Sequence, residues 1–224
     1  MLRIENLSKR FDRGPGHPLF QGVNLHLQPG ESVAVMGESG VGKSTLLNCI
    51  AGLESVDGGS IRLRGRELTT LDEDARAMLR RRDFGFVFQA FHILPHLTLA
   101  QNVALPLWLL DQPEADADRR ARAMLERVGL GQRADDWPRY LSGGELQRVA
   151  IARSLVHEPA LVLCDEPTGN LDPERAVDVL GLLFERIRDA GAIGILVTHS
   201  RTAAGHADRL LSLTASGLRE SPAA

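Results

Sequence analysis

Apolar and polar residues alternate over residues 2–7 and again over 23–27, the two-residue period of antiparallel strands with one buried face. A Gly- and Pro-rich stretch, residues 13–18, separates them as a loop. The run Ser32-Val33-Ala34-Val35-Met36 is short and unbroken, as in a strand buried on both faces, and it leads straight into Gly37. Helical spacing follows over residues 44–51, with Leu46, Leu47 and Ile50 on one face and Gly52 as the stop. Residues 60–63 and 84–88 predict strands. Between them Thr70-Leu71-Asp72-Glu73 has the S/T-x-x-E form of a capping box, which predicts a helix opened by Thr70.

The middle of the chain changes character. Residues 90–158 are mostly helical in pattern, with Met124, Leu125 and Val128 on one face and, further on, Leu146, Val149 and Ile151 among polar neighbours. The acidic stretch 111–118 reads as a solvated loop entering a helix. Strand–helix alternation returns with the apolar run 161–164. Asp172-Pro173-Glu174 then combines an N-cap, a proline at the first helical position and an acid in the first turn. Residues 193–197 and 210–213 predict the last strands. The pattern is a mostly parallel α/β core in one domain over residues 1–224, interrupted by a helical insertion at 90–158.

Composition narrows the classes. With 224 residues, 43% apolar and 25% charged, the chain needs no metal or disulfide staple to fold. Its net charge of −3 argues against nucleic acid held on a broad basic face. Cys49 and Cys164 both lie in apolar runs and read as small buried hydrophobes. Residues 1–6 carry charge where a secretory signal would be apolar. The most apolar window, residues 103–110, is broken by Pro106 and far shorter than the roughly 20 residues that span a bilayer. A chain soluble by itself is expected, with any membrane role exercised through a partner. Only two of the 26 basic residues are lysines, Lys9 and Lys43, which draws attention to what Lys43 does.

Lys43 belongs to Gly37-Glu38-Ser39-Gly40-Val41-Gly42-Lys43-Ser44, which fits G-x-x-x-x-G-K-[ST] between a predicted strand and a predicted helix. The glycines let backbone N–H groups converge without Cβ obstruction, and the helix behind adds its positive end. Lys43 is a point charge for β- and γ-phosphates, the Ser44 hydroxyl an Mg²⁺ ligand, and Thr45 a further donor. Leu161-Val162-Leu163-Cys164-Asp165-Glu166 is an apolar strand ending in two acids at the carboxyl edge of a sheet, where open α/β folds bind ligands. Asp165 suits Mg²⁺, through water, and Glu166 suits polarising an attacking water. Leu141-Ser142-Gly143-Gly144-Glu145 supplies a second helix N-terminus ready to receive an anion.

These motifs, in this order, resemble the ABC transporter ATP-binding family over nearly the whole chain. The resemblance implies an α/β P-loop NTPase (RecA-like) core with a mixed sheet, an N-terminal antiparallel β-subdomain and an inserted α-helical subdomain. It implies an ATPase using ATP and Mg²⁺, with Phe11 stacking on adenine and Gln89 sensing Mg²⁺ and the γ-phosphate. Asp172, after Leu171, would lie at a dimer interface, and His199 would contact the γ-phosphate. Ser142, Gly143, Gly144 and Glu145 would serve the nucleotide of a second copy, giving two ATP sites per homodimer. His17, His26, His92, His96, His157 and His206 read as surface histidines.

Pro167-Thr168-Gly169-Asn170-Leu171-Asp172, with Phe84-Gly85-Phe86-Val87-Phe88-Gln89, Leu94-Pro95-His96-Leu97-Thr98 and Asn102-Val103, is similar to the LolD/MacB/FtsE group of bacterial ABC ATPases. Asp74-Ala75-Arg76 also resembles the YbbA-type members. That likeness implies an integral membrane permease docking near Phe91 to Leu110, a place at the cytoplasmic face of the inner membrane, and work in export or in lipoprotein or lipid extraction. A regulatory or scaffolding ATPase of the cell envelope is the alternative. An ABC ATPase of DNA repair or translation fits less well, since neither a coiled-coil insertion nor a tandem cassette is present. A guanine-specific switch is disfavoured by the lack of an N-K-x-D run.

Overall fold

The computed structural model describes residues 1–10 and 18–220. Two sheets carry the fold. The first is antiparallel, in the order β2-β1-β4-β5, from β1 (Leu2–Lys9), β2 (Phe20–Leu27), β4 (Gly58–Leu63) and β5 (Arg66–Glu67). The second runs β10-β9-β3-β8-β7-β6, from β3 (Ser32–Met36), β6 (Phe84–Phe88), β7 (Leu161–Asp165), β8 (Ile193–Val197), β9 (Arg209–Thr214) and β10 (Gly217–Glu220). Its neighbours pair in parallel except for β10, which returns antiparallel on β9. The α/β fold with a mixed sheet is therefore as the sequence implied. Gln21 N–H donates to Ala215 O at 3.0 Å, tying the two sheets together.

Burial explains the strand patterns. β3, β7 and β8 are apolar on both faces because helices cover both sides of the parallel sheet. β2 alternates because one of its faces meets solvent. Helix α6 (Pro173–Asp189) lays Val179, Leu180, Leu183, Phe184 and Ile187 into one core, a stripe worth roughly 1.5–3 kcal/mol per side chain. Helix α1 (Lys43–Ile50) packs into the other, with Leu46, Leu47, Cys49 and Ile50 buried. Between β6 and β7 the described chain holds helices only, chiefly α3 (Leu99–Leu109), α4 (Glu114–Arg127) and α5 (Gly143–Leu155).

Several local expectations change. Helix α2 (Glu73–Asp83) is capped by Asp72, whose Oδ1 accepts from Ala75 N–H at 2.8 Å, not by Thr70. Glu73, cast as the far member of a capping box, is instead the first helical residue and pairs with Arg80 at 2.7 Å. α4 begins at Glu114, inside the acidic stretch, since Glu114 and Asp116 suit a first turn. The strands β5 and β10 are short, polar and exposed along much of their length, and no period announced them. Cys49 and Cys164 are free and buried. His157 and His206 are half-buried rather than on the surface, His206 stacked on Phe184 with ring centroids 6.4 Å apart. Phe11 and His17 lie outside the described residues.

Candidate functional site

The carboxyl edge of the parallel sheet gathers most of the residues singled out by the motifs. β3 ends at Met36, and the chain loops through Gly37, Glu38, Ser39, Gly40 and Val41 to Gly42, the N-cap of α1. Gly42 has φ 102°, a left-handed conformation that glycine tolerates without a Cβ penalty. Leu19 packs where a Cβ on Gly42 would lie, 2.6 Å from its Cδ2. Lys43 folds back over the loop, and Nζ donates to Gly37 O at 2.9 Å and Glu38 O at 3.0 Å. With Thr45, Asp165 and Glu166, the loop lines a cavity of about 310 Å³.

Asp165 closes β7 and Glu166 follows it with φ 46°. Ser44 Oγ donates to Asp165 Oδ1 at 3.1 Å. Burial raises the pKa of Asp165, opposed by that hydrogen bond. Parallel pairing of β7 with β8 sets Asp165 against Val197, which brings Glu166 beside Thr198 and His199. Glu166 Oε1 accepts from His199 N–H at 2.9 Å and lies 2.7 Å from His199 Nδ1, while Oε2 accepts from Thr198 Oγ1–H at 3.0 Å. Thr198 is buried, and its Oγ1 also accepts from Ser200 N–H at 3.0 Å. Gln89 joins from the end of β6, lining a second cavity of about 250 Å³ with Ser44, Asp165 and Glu166. Its side chain donates to Asn170 Oδ1 at 3.2 Å, and Asn170 Nδ2 donates back to Gln89 O at 3.0 Å. The sequence reading missed Thr198 and Asn170. Thr198 could have been found from its place directly before His199 at a strand end.

Ser142, Gly143, Gly144 and Glu145 stand apart, lining neither cavity. Ser142 caps α5 in a full capping box with Glu145. The Ser142 N–H bond to Glu145, together with Arg133 at 2.6 Å, holds the Glu145 carboxyl below the usual range. Exposed Ser142 thus presents a helix N-terminus to solvent. Asp172 caps α6, accepting from Arg175 N–H at 3.1 Å, and its carboxylate remains exposed.

A third concavity, of about 460 Å³, opens between β6, α3 and α5. Phe84, Phe86, Phe88, Leu105, Pro106 and Leu109 supply its apolar lining, with Leu53 at the end of the turn after α1. Leu53 and Leu109 are exposed. The rest of the apolar stretch before and through α3 is divided: Leu99, Ala100, Val103, Ala104 and Leu107 are core. Among the described residues, no helix is long and apolar enough to cross a membrane.

Sheet order and phosphate loop together define a P-loop NTPase. The sequence pattern of the ABC transporter family matches residues 20–169, and the chain belongs to that family. It is 47% identical to the lipoprotein-releasing system ATP-binding protein LolD of Pseudomonas fluorescens, over 95% of this chain and 94% of that one. It is 42% identical to the uncharacterized ABC transporter ATP-binding protein YbbA of Escherichia coli, over 98% of this chain and 97% of that one. The dimeric post-hydrolysis state of the ATP-binding cassette MJ0796, bound to ADP and Pi, superposes with a TM-score of 0.86 at 34% identity, covering 100% of this chain and 99% of that one. The chain is the ATP-binding, ATP-hydrolysing subunit of an ABC transporter of LolD-like type.

Proposed function

We propose that this subunit couples ATP-driven closure of a homodimer to a membrane permease, in export or in lipoprotein or lipid extraction at the cytoplasmic face of the inner membrane. The convergence of Lys43, Ser44, Asp165, Glu166 and His199 on one sheet edge carries the reading. Gly37 to Thr45 cradle the phosphates, with Lys43 exchanging its two loop carbonyls for phosphate oxygens. Ser44, Asp165 and Gln89 would hold Mg²⁺. A hydroxyl, a carboxylate and an amide oxygen are the hard donors that ion takes, and a half-buried carboxylate with a raised pKa is stabilised by a neighbouring cation. Held by those residues, Mg²⁺ would supply positive charge against the negative charge that builds up on the phosphates during transfer. Glu166 takes a proton from the attacking water, and His199 orients Glu166 and reaches the γ-phosphate. Phe11 stacks on adenine.

Ser142, Gly143, Gly144 and Glu145 serve the nucleotide of the second copy, with Asp172 at the same interface. One helix N-terminus offers only about half a positive charge, so the triphosphate gains from a second one arriving across the interface. The dimeric state of the cassette MJ0796 supports this reading. The apolar concavity next to Phe91 to Leu110 receives the permease, and the extraction of lipoproteins follows the likeness to LolD. The test is Glu166→Gln: with ATP it elutes as a stable dimer in size exclusion, while the wild type does not accumulate one. A variant that hydrolysed ATP at the wild-type rate would remove Glu166 from its role.

A further inference from the structure

The concavity between β6, α3 and α5 holds a charge that its apolar lining does not neutralise. Arg153, on α5, donates from Nη1 to His92 O at 2.7 Å and from Nη2 to Phe91 O at 2.8 Å. Burial lowers its pKa, and among the described residues no carboxylate lies within ion-pair distance of it. The other two arginines of the lining differ: Arg80 has Glu73 at 2.7 Å and Arg81 has Asp111 at 2.6 Å. Among the described residues, no Asp or Glu lines the concavity. Next to Arg153, His157 engages Phe84 O through Nε2 at 2.9 Å, and its Nδ1 is buried without a partner. Arg81 Nε is buried and unpartnered as well. Orphaned polar atoms of this kind are costly to bury, and Arg153 is a half-buried charge held by two carbonyls with no opposite charge beside it among the described residues. The surface is therefore complementary to an occupant that is apolar along most of its length and acidic at one point.

We propose that the permease segment seated in this concavity carries one carboxylate that pairs with Arg153, and that Arg153 passes occupancy on to the nucleotide site. The inference rests on the permease-docking reading above and names the chemistry of that partner. A guanidinium has five N–H donors, so the two bonds to Phe91 and His92 leave enough for a bidentate carboxylate. Those two carbonyls lie just beyond Gln89, and α5 is the helix that begins at Ser142. One side chain thus ties the loop after Gln89 to the helix that would reach the second copy's nucleotide. A carboxylate arriving on Arg153 changes the load on both at once.

The test uses the complete chain co-expressed with its permease and placed in nanodiscs of phosphatidylcholine alone, so that no anionic lipid is present. The readout is the ratio of ATP turnover with the permease to turnover without it. Arg153→Gln is expected to lower that ratio about tenfold, and Arg153→Lys, which keeps the charge but not the fork, to lower it less. Arg153→Glu is expected to be restored by exchanging one cytoplasmic acidic residue of the permease for arginine. An unchanged ratio in Arg153→Gln, or failure of every exchange to restore Arg153→Glu, overturns the proposal. Should the Arg153 variants not fold, the wild-type chain is paired with permeases in which each cytoplasmic acid is turned to its amide. One such change must then lower the ratio about tenfold, and none doing so overturns the proposal. Arg153-dependent binding of the isolated chain to phosphatidylglycerol vesicles, with no effect of any permease acid, would assign the charge to lipid instead and also overturn it. Failure of the docking reading itself looks different: Leu109→Asp, at an exposed position of the same concavity, would leave permease binding intact.

Discussion

The sheet edge and the apolar concavity treat their polar atoms in opposite ways. At the edge four of the polar side chains have partners within the chain: Lys43 on two loop carbonyls, Ser44 on Asp165, Glu166 on Thr198 and His199, Gln89 on Asn170. In the concavity His157 Nδ1 and Arg81 Nε have none among the described residues, and Arg153 has no carboxylate among them. A buried polar atom left alone is costly, so the two regions suit different traffic. A site that fills and empties on every turnover keeps its groups satisfied by stand-in bonds between visits. A face covered for the life of a complex can leave that satisfaction to its partner.

The largest effect that would break this comparison is at Glu166. Glu166→Gln keeps the shape and loses the base, and turnover is expected to fall about 10²–10⁴-fold while ATP still binds. Steady-state phosphate release against a nucleotide-binding titration reads both quantities, and normal turnover would mean that the bonds from His199 and Thr198 hold the Glu166 side chain in place without serving the chemistry. Lys43→Ala comes next. If its bonds to Gly37 O and Glu38 O are stand-ins, ATP affinity falls about 10–100-fold, as for loss of a hydrogen-bonded charge, while the melting temperature of the nucleotide-free protein barely moves. A protein that loses stability and keeps affinity would show that Lys43 staples its own loop.

Thr198→Val sharpens the edge side. The hydroxyl is buried, accepts from Ser200 N–H and donates to Glu166 Oε2, so its proton is directed at the carboxylate. Removing it is expected to lower kcat about tenfold with the KM for ATP unchanged, and Thr198→Ser to restore kcat. An equal change in both parameters would mean that Thr198 holds the loop rather than the base.

What the chain's linear order revealed, and what it hid, follows the same division. The phosphate loop is one uninterrupted turn between β3 and α1, so nearly all of its chemistry sits in nine consecutive residues, 37–45. Asp165 and Glu166 stood out because β7 is covered on both faces and its apolar run stops at them. The Glu166–Thr198 bond could not be read that way, since it exists only because β8 lies next to β7 in a register that sets Asp165 opposite Val197. The concavity was less legible still: Leu53, Phe86, Leu109, Arg153 and His157 come from separate stretches, and each taken singly looks like ordinary packing. The cap of α2 failed for a local reason. Asp72 and Thr70 both suit an N-cap, and only the hydrogen bond to Ala75 N–H selects between them.

The smallest effect belongs to His157 and concerns pH. Burial lowers its pKa in the folded protein, so the unfolded chain takes up the proton first as pH falls below the ordinary histidine value near 6.5. In that window the unfolded state binds more protons, and stability falls on acidification, by no more than about 1.4 kcal/mol per pH unit for a single group. Above it the contribution is fully present. His157→Gln can keep a donor to Phe84 O and has no proton to gain, so its midpoint in urea is expected to move less between pH 7 and pH 5.5 than that of the wild type. Identical pH dependence in the two proteins would mean that the imidazole is solvated in solution and that Nδ1 is not an orphan. With the permease bound the difference should widen if the partner supplies a donor to Nδ1, because a hydrogen bond to the neutral imidazole lowers its pKa beyond what burial alone does.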